Sequence, residues 1–109
     1  MRAVMLSVLL LLAAPLALAG DAGAGAKKSL PCQACHGDNG NKSIDDATPK
    51  LGGQYESYLL QALRDYKSGK RKNLIMSGQV ANLSDVDLQD LAAYFARQPR
   101  EIDDLAGRK

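Results

Sequence analysis

Apolar side chains recur at helical spacing in two stretches of the chain. Between Gln54 and Ser68, Tyr55, Leu59, Ala62, Leu63 and Tyr66 fall on one stripe and predict an amphipathic helix. Gly69 is placed to end it in a left-handed cap, and Lys67, Lys70, Arg71 and Lys72 gather where positive charge suits the helix dipole. A second helix opens at Ser84, with Asp85 and Asp87 in its first turn. Leu88, Leu91, Ala92 and Phe95 form its buried face, and Pro99 lies past its end. Gly20 to Ser29 is rich in Ala and Gly; Asp21 is a candidate cap for a short helix that Gly23 and Gly25 weaken, and Pro31 marks an end or a bend. Asp38–Pro49 and Lys70–Leu83 lack a sustained period and read as loops, the second long enough to be functional. No apolar–polar alternation occurs, so the fold class is all-α, with three to four helices.

Residues 1–19 have a different pattern. All but Arg2, Ser7 and Pro15 are apolar, and Ala17-Leu18-Ala19 offers small residues where a signal peptidase reads. They are expected to be a cleaved secretory signal peptide, leaving residues 20–109 as a single domain with a polar tail from about 100. The apolar run is short for a bilayer span, so no stable membrane insertion is expected after cleavage.

Composition then narrows the classes. Residues 20–109 carry 13 basic and 12 acidic side chains, a balance that fits neither a nucleic-acid binder nor an acidic tail. Leu, Ile, Val and Phe together number only 16 there, and Trp is absent. A small domain so short of core material usually relies on a disulfide, a metal or a partner.

Cys32-Gln33-Ala34-Cys35-His36 is a C-x-x-C-H motif, the attachment signature of c-type haem. Two thiols three positions apart can each add to one vinyl group on a single porphyrin edge, and the adjacent imidazole then meets the iron from one side. Haem attachment requires export, which the leader provides. Three rival readings are a structural disulfide, a thioredoxin-like redox pair and a zinc site. The disulfide closes a very small loop, the redox pair needs a βαβ context, and zinc wants four ligands. For the second axial position, the 90 residues after the leader contain one His and one Met, Met76. Met76 is therefore the expected partner of His36, with a Lys ligand or an open site as the residual. A His/Met pair fills both axial positions and raises the reduction potential, an arrangement for electron transfer. The haem would become the centre of the core, packed by Leu51, Leu59, Leu63, Leu74, Leu83, Leu91 and Phe95.

These residues resemble the small bacterial class I cytochromes c, especially one half of the two-domain dihaem members and their monohaem relatives. The resemblance rests on Cys32–Gly37, Thr48–Gln54, Tyr58-Leu59, Gly69-Lys70-Arg71, Met76, Leu83-Ser84 and Leu91–Tyr94. It implies a compact helical fold with crossed terminal helices around one covalent haem c. It also implies His36 and Met76 as axial ligands, and a Pro49 carbonyl that accepts a hydrogen bond from His36. The dihaem members carry two C-x-x-C-H motifs, whereas this sequence has one, so a single haem is expected.

The function expected is a periplasmic one-electron carrier between redox proteins, without substrate turnover of its own. Lys67, Lys70, Arg71 and Lys72 are candidates to steer an acidic partner. The alternatives are a cytochrome subunit of a larger oxidoreductase and a peroxidase that loses Met76 on activation.

Overall fold

The computed structural model describes residues 20–101; the leader and most of the tail fall outside the described residues. Five helices run in order: α1 Ala22–Lys28, α2 Leu30–His36, α3 Glu56–Ser68, α4 Leu74–Val80 and α5 Asp85–Ala96, with a 3-10 turn at Asp38–Gly40. None of them is long and apolar enough to cross a membrane.

The five helices are one or two more than the three to four expected. Pro31 stands just past the end of α1, where an end or a bend is expected. It sits in the first turn of α2, where a missing N–H costs nothing, and Ser29 forms the joint between α1 and α2. The stretch Lys70–Leu83 is not all loop. Asn73 caps α4 by accepting the Met76 amide at Oδ1, 3.0 Å away. A seven-residue helix is too short to show a period, so its sequence carried only the cap.

α3 starts at Glu56, and Tyr55 stands at its cap position, 77% exposed, outside the buried stripe. Gly69 ends α3 in the left-handed conformation (φ 81°), as its position predicts. α5 is closed by a full capping box. The Ser84 hydroxyl accepts the Asp87 amide, while the Asp87 carboxylate accepts the Ser84 amide.

α5 is the central element, with α1 and α3 packed against it. Leu59, Leu91, Ala92 and Phe95 form the core cluster, joined by the half-buried Leu51, Leu63 and Leu83. Leu74 is 95% exposed and takes no part, because it opens α4 on the outer side; Val80 is the residue of α4 that is buried.

The two glycines that weaken α1 as a helix are explained in part by its packing. At Gly25 a Cβ would overlap the Asp90 carbonyl of α5 and press on Tyr94, so only glycine lets the backbones approach this closely. Beside that crossing, buried Asp90 accepts the Asp21 amide (2.8 Å) and Lys28 Nζ (2.6 Å). Lys28 also reaches Asp87 at 2.7 Å. On the other side of α5, Arg64 of α3 holds Asp85 through two contacts of 2.7 Å.

These pairs make stability depend on acid. The Lys28 ammonium holds Asp87 down to about 2 and also lowers Asp90, and the Arg64 guanidinium holds Asp85 at about 2. Carboxylates depressed on folding stabilise the native state above their ordinary range and lose that contribution as they protonate. The melting temperature should therefore be level above about pH 4 and fall steadily toward pH 2. Lys28→Ala should flatten part of that fall; an identical profile in the variant would count against the α1–α5 bridge.

Candidate functional site

α2 places the chemistry of the C-x-x-C-H motif on a single helical turn. Residues three apart in a helix are neighbours, so Cys32 and Cys35 share one face. Both thiols are free and half-buried. His36 closes the helix and is buried. Its Nδ1 donates to the carbonyl oxygen of Pro49 at 2.8 Å. A carbonyl only accepts, so in the neutral ring Nδ1 carries the proton and Nε2 keeps a bare lone pair. The same bond fixes the plane of the ring.

Cys32, Cys35 and His36 border a cleft whose empty space, open mouth included, is about 930 Å³. Leu59, Leu63, Leu91 and Phe95 form its apolar wall, with Tyr58 and Tyr66 of α3 alongside. Met76, Ile75 and Gln79 of α4 line it as well. α4 is tied to α3 by Ser77, whose hydroxyl donates to the Tyr66 carbonyl at 3.2 Å. The structure thus brings Cys32, Cys35, His36, Pro49 and Met76 to one cleft from α2, α4 and the loop between α2 and α3.

The four basic candidates separate. Lys67 Nζ donates to the Leu83 carbonyl and ties the end of α3 to the turn before α5. Arg71 lies over the Tyr66 ring, 4.8 Å from its centroid, and lines the cleft. Lys70 and Lys72 are exposed, and neither forms an ion pair among the described residues. Tyr58 and Gln79 were not expected as cleft residues. Tyr58 carried a signal, standing one turn before Ala62 on the predicted α3 stripe; Gln79 carried none.

The donor set fits an iron porphyrin. The cleft is apolar and bordered by two free thiols, an imidazole with an available nitrogen and a thioether. It fits the rival readings less well. Burial pushes the Cys32 thiol above its ordinary value, whereas a redox-active pair needs a lowered one. Among the described residues, no three of His, Cys, Asp and Glu converge as zinc ligands would.

The sequence profile of the family Cytochrome c matches residues 21–98. The chain belongs to the cytochrome c family. Its cofactor is therefore covalently attached haem c, and its fold is that of class I cytochromes c. Cytochrome c4 of Pseudomonas aeruginosa is 52% identical over 84 residues, covering 77% of this chain and 41% of that protein. Cytochrome c-554(548) of Halomonas halodenitrificans is 40% identical over 83 residues, covering 73% of this chain and 99% of that protein. The crystal structure of reduced recombinant cytochrome c4 from Pseudomonas stutzeri superposes with a TM-score of 0.70 at 49% identity, over 74% of this chain and 47% of that one. The chain thus spans about two-fifths of the cytochrome c4 proteins and nearly all of cytochrome c-554(548). Haem c would supply a one-electron couple, and Cys32, Cys35, His36 and Met76 are the cleft residues that could hold it.

Proposed function

We propose that this cytochrome is a periplasmic monohaem carrier that moves one electron at a time between redox proteins. Cys32 and Cys35 hold the haem through thioethers. His36 would bind the iron through Nε2 and Met76 would supply the second protein ligand, while the Pro49 carbonyl orients the imidazole. The observation that carries this reading is the His36–Pro49 bond at 2.8 Å, which leaves Nε2 as the available nitrogen in the cleft that Met76 also lines. With both axial positions filled by protein, the iron has no site for a substrate, which favours carriage over catalysis. The count of one C-x-x-C-H motif supports a single haem, and the apolar residues 1–19 support export. Lys70 and Lys72 are the exposed charges best suited to steer an acidic partner; Lys67 and Arg71 contribute to the same basic end of the molecule.

The test is the exported holoprotein. Its mass should exceed that of the polypeptide from residue 20 by one haem. A redox titration followed in the visible should give one transition with a one-electron slope. Electron exchange with an acidic partner should slow steeply with added salt. Two haem masses, or two transitions, would overturn the monohaem reading, and a flat salt response would remove the lysines from docking.

A further inference from the structure

Gly20 directly follows the expected leader and precedes Asp21, the cap of α1. It is seated on the backbone of α5. A Cβ at this position would overlap the Gln89 carbonyl and press on the Asp90 nitrogen, so the chain touches α5 with no room for a side chain. The next amide along, that of Asp21, donates to Asp90 Oδ1 at 2.8 Å. Consecutive backbone nitrogens are no more than about 3.7 Å apart, which puts the Gly20 nitrogen within about 6.5 Å of that carboxylate. The position of this nitrogen is therefore fixed by packing on both sides of it, at Gly20 itself and at Asp21.

The surroundings are short of positive charge. Lys28 is the cation paired there, and it serves two carboxylates, Asp87 at 2.7 Å and Asp90 at 2.6 Å. The Asp90 side chain is only 8% exposed. Asp21 adds a third carboxylate, which accepts the Ala24 amide. Lys27 is exposed and forms no ion pair among the described residues. Asp85 is held by Arg64 on the other side of α5, and Tyr94 packs at Gly25. A carbonyl oxygen has two lone pairs, of which a helix uses one, so Gln89 offers a further acceptor beside Gly20.

We propose that cleavage after Ala19 places a new α-ammonium at Gly20 on the α1–α5 junction, where it acts as a second cation for Asp90, so that removal of the leader stabilises the folded cytochrome. This rests on the export reading. Hydrolysis of the Ala19–Gly20 bond consumes one water and leaves a carboxylate on the released leader and an amine on Gly20, which takes up a proton at neutral pH. An amine held by a carboxylate keeps its proton to higher pH when folded than when unfolded. Its contribution is therefore present below its ordinary range of about 7.7–8.0 and is lost as pH rises through the folded value. The carboxylates set the acid limit of the level melting profile, and this amine sets an alkaline one.

The experiment compares three exported holoproteins by intact mass and by melting from pH 6 to pH 10. They are the wild type, a variant with Gly-Ser inserted between Ala19 and Gly20, and Gly20→Ala. The insertion keeps every side chain and moves only the ammonium, by up to about 7 Å. At pH 6 it should melt about 2–6 °C below the wild type, and that gap should close by pH 10. Gly20→Ala should also melt lower, because its Cβ displaces the chain from α5. Equal melting of the insertion variant and the wild type at pH 6 overturns the proposal. A gap that persists unchanged at pH 10 does so too, because charge would then not be its cause. Gly20→Ala melting like the wild type at both pH values overturns the seating of Gly20. A wild-type mass that starts at a residue other than Gly20 also overturns the proposal while leaving export intact, whereas retention of the leader defeats the export reading itself.

Discussion

Replacing Cys32 and Cys35 together with Ala is expected to give a chain with no covalent haem and no cooperative fold. The reason lies in the core. Only Leu59, Val80, Leu88, Leu91, Ala92, Ala93 and Phe95 are buried hydrophobics among the described residues, and two of these seven are alanines. Leu59, Leu91 and Phe95 line the cleft, as do the half-buried Leu51 and Leu63. Each Leu or Phe side chain taken out of water contributes about 1.5–3 kcal/mol. Leaving several of them against water removes much of the ~5–15 kcal/mol by which a domain is stable. Far-ultraviolet circular dichroism with urea titration, beside intact mass, checks this. The single variants keep one thioether and should remain folded, whereas a cooperative transition in the haem-free double variant would show that the polypeptide has a sufficient core of its own.

The second large effect is expected at Met76. In Met76→Ala the weak near-red band of the ferric protein should disappear, and the midpoint potential should fall by on the order of 0.1 V or more, within the ~0.8 V over which axial ligands set haem potentials. The fold should survive. Met76 takes part in the α4 cap through its amide, which the substitution leaves bonded to Asn73, and its side chain is only half-buried. Visible spectra of both oxidation states and a redox titration of the same sample suffice. Retention of the band would mean another sulfur ligand, and residues 20–109 contain no second methionine. An unchanged potential would likewise remove Met76 from the iron.

The two variants act on different parts of the molecule, and that difference follows how much the chain alone reveals. The C-x-x-C-H motif is local. Its thiols and imidazole fall within five residues, so one helical turn presents all three, and the family profile over residues 21–98 agrees with what the motif implied. α5 was also legible, because its capping box and its Leu88–Leu91–Ala92–Phe95 face both depend on residues at most a few positions apart. α3 was legible in its stripe and its Gly69 terminus, though not at its start. Tyr55 fits the period but precedes the first helical residue, and period alone does not separate a cap from a first turn.

α4 was not legible. Its seven residues are fewer than two turns show as a pattern, and its Asn73 has the same composition signal as a loop. Leu74 was expected in the core for its side chain alone, yet its place at the outer start of α4 leaves it in solvent. The buried Asp90 gave no signal either. Its partners Asp21 and Lys28 lie 69 and 62 residues away, and a lone carboxylate on an apolar face looks the same whether it is paired or not.

By itself, then, the order of residues determined which cofactor this cytochrome takes, where the thiols and imidazole that mark its attachment stand, and three of its five helices, since all of these arise from neighbours within one or two turns. Tertiary structure alone decided that α4 carries Met76 to the cleft, that Arg71 rests on Tyr66 at its edge while Lys67 turns away to Leu83, and that α1 meets α5 at a glycine. Those outcomes depend on groups brought together only when the helices pack, and a contact between distant residues leaves no periodic trace in the chain.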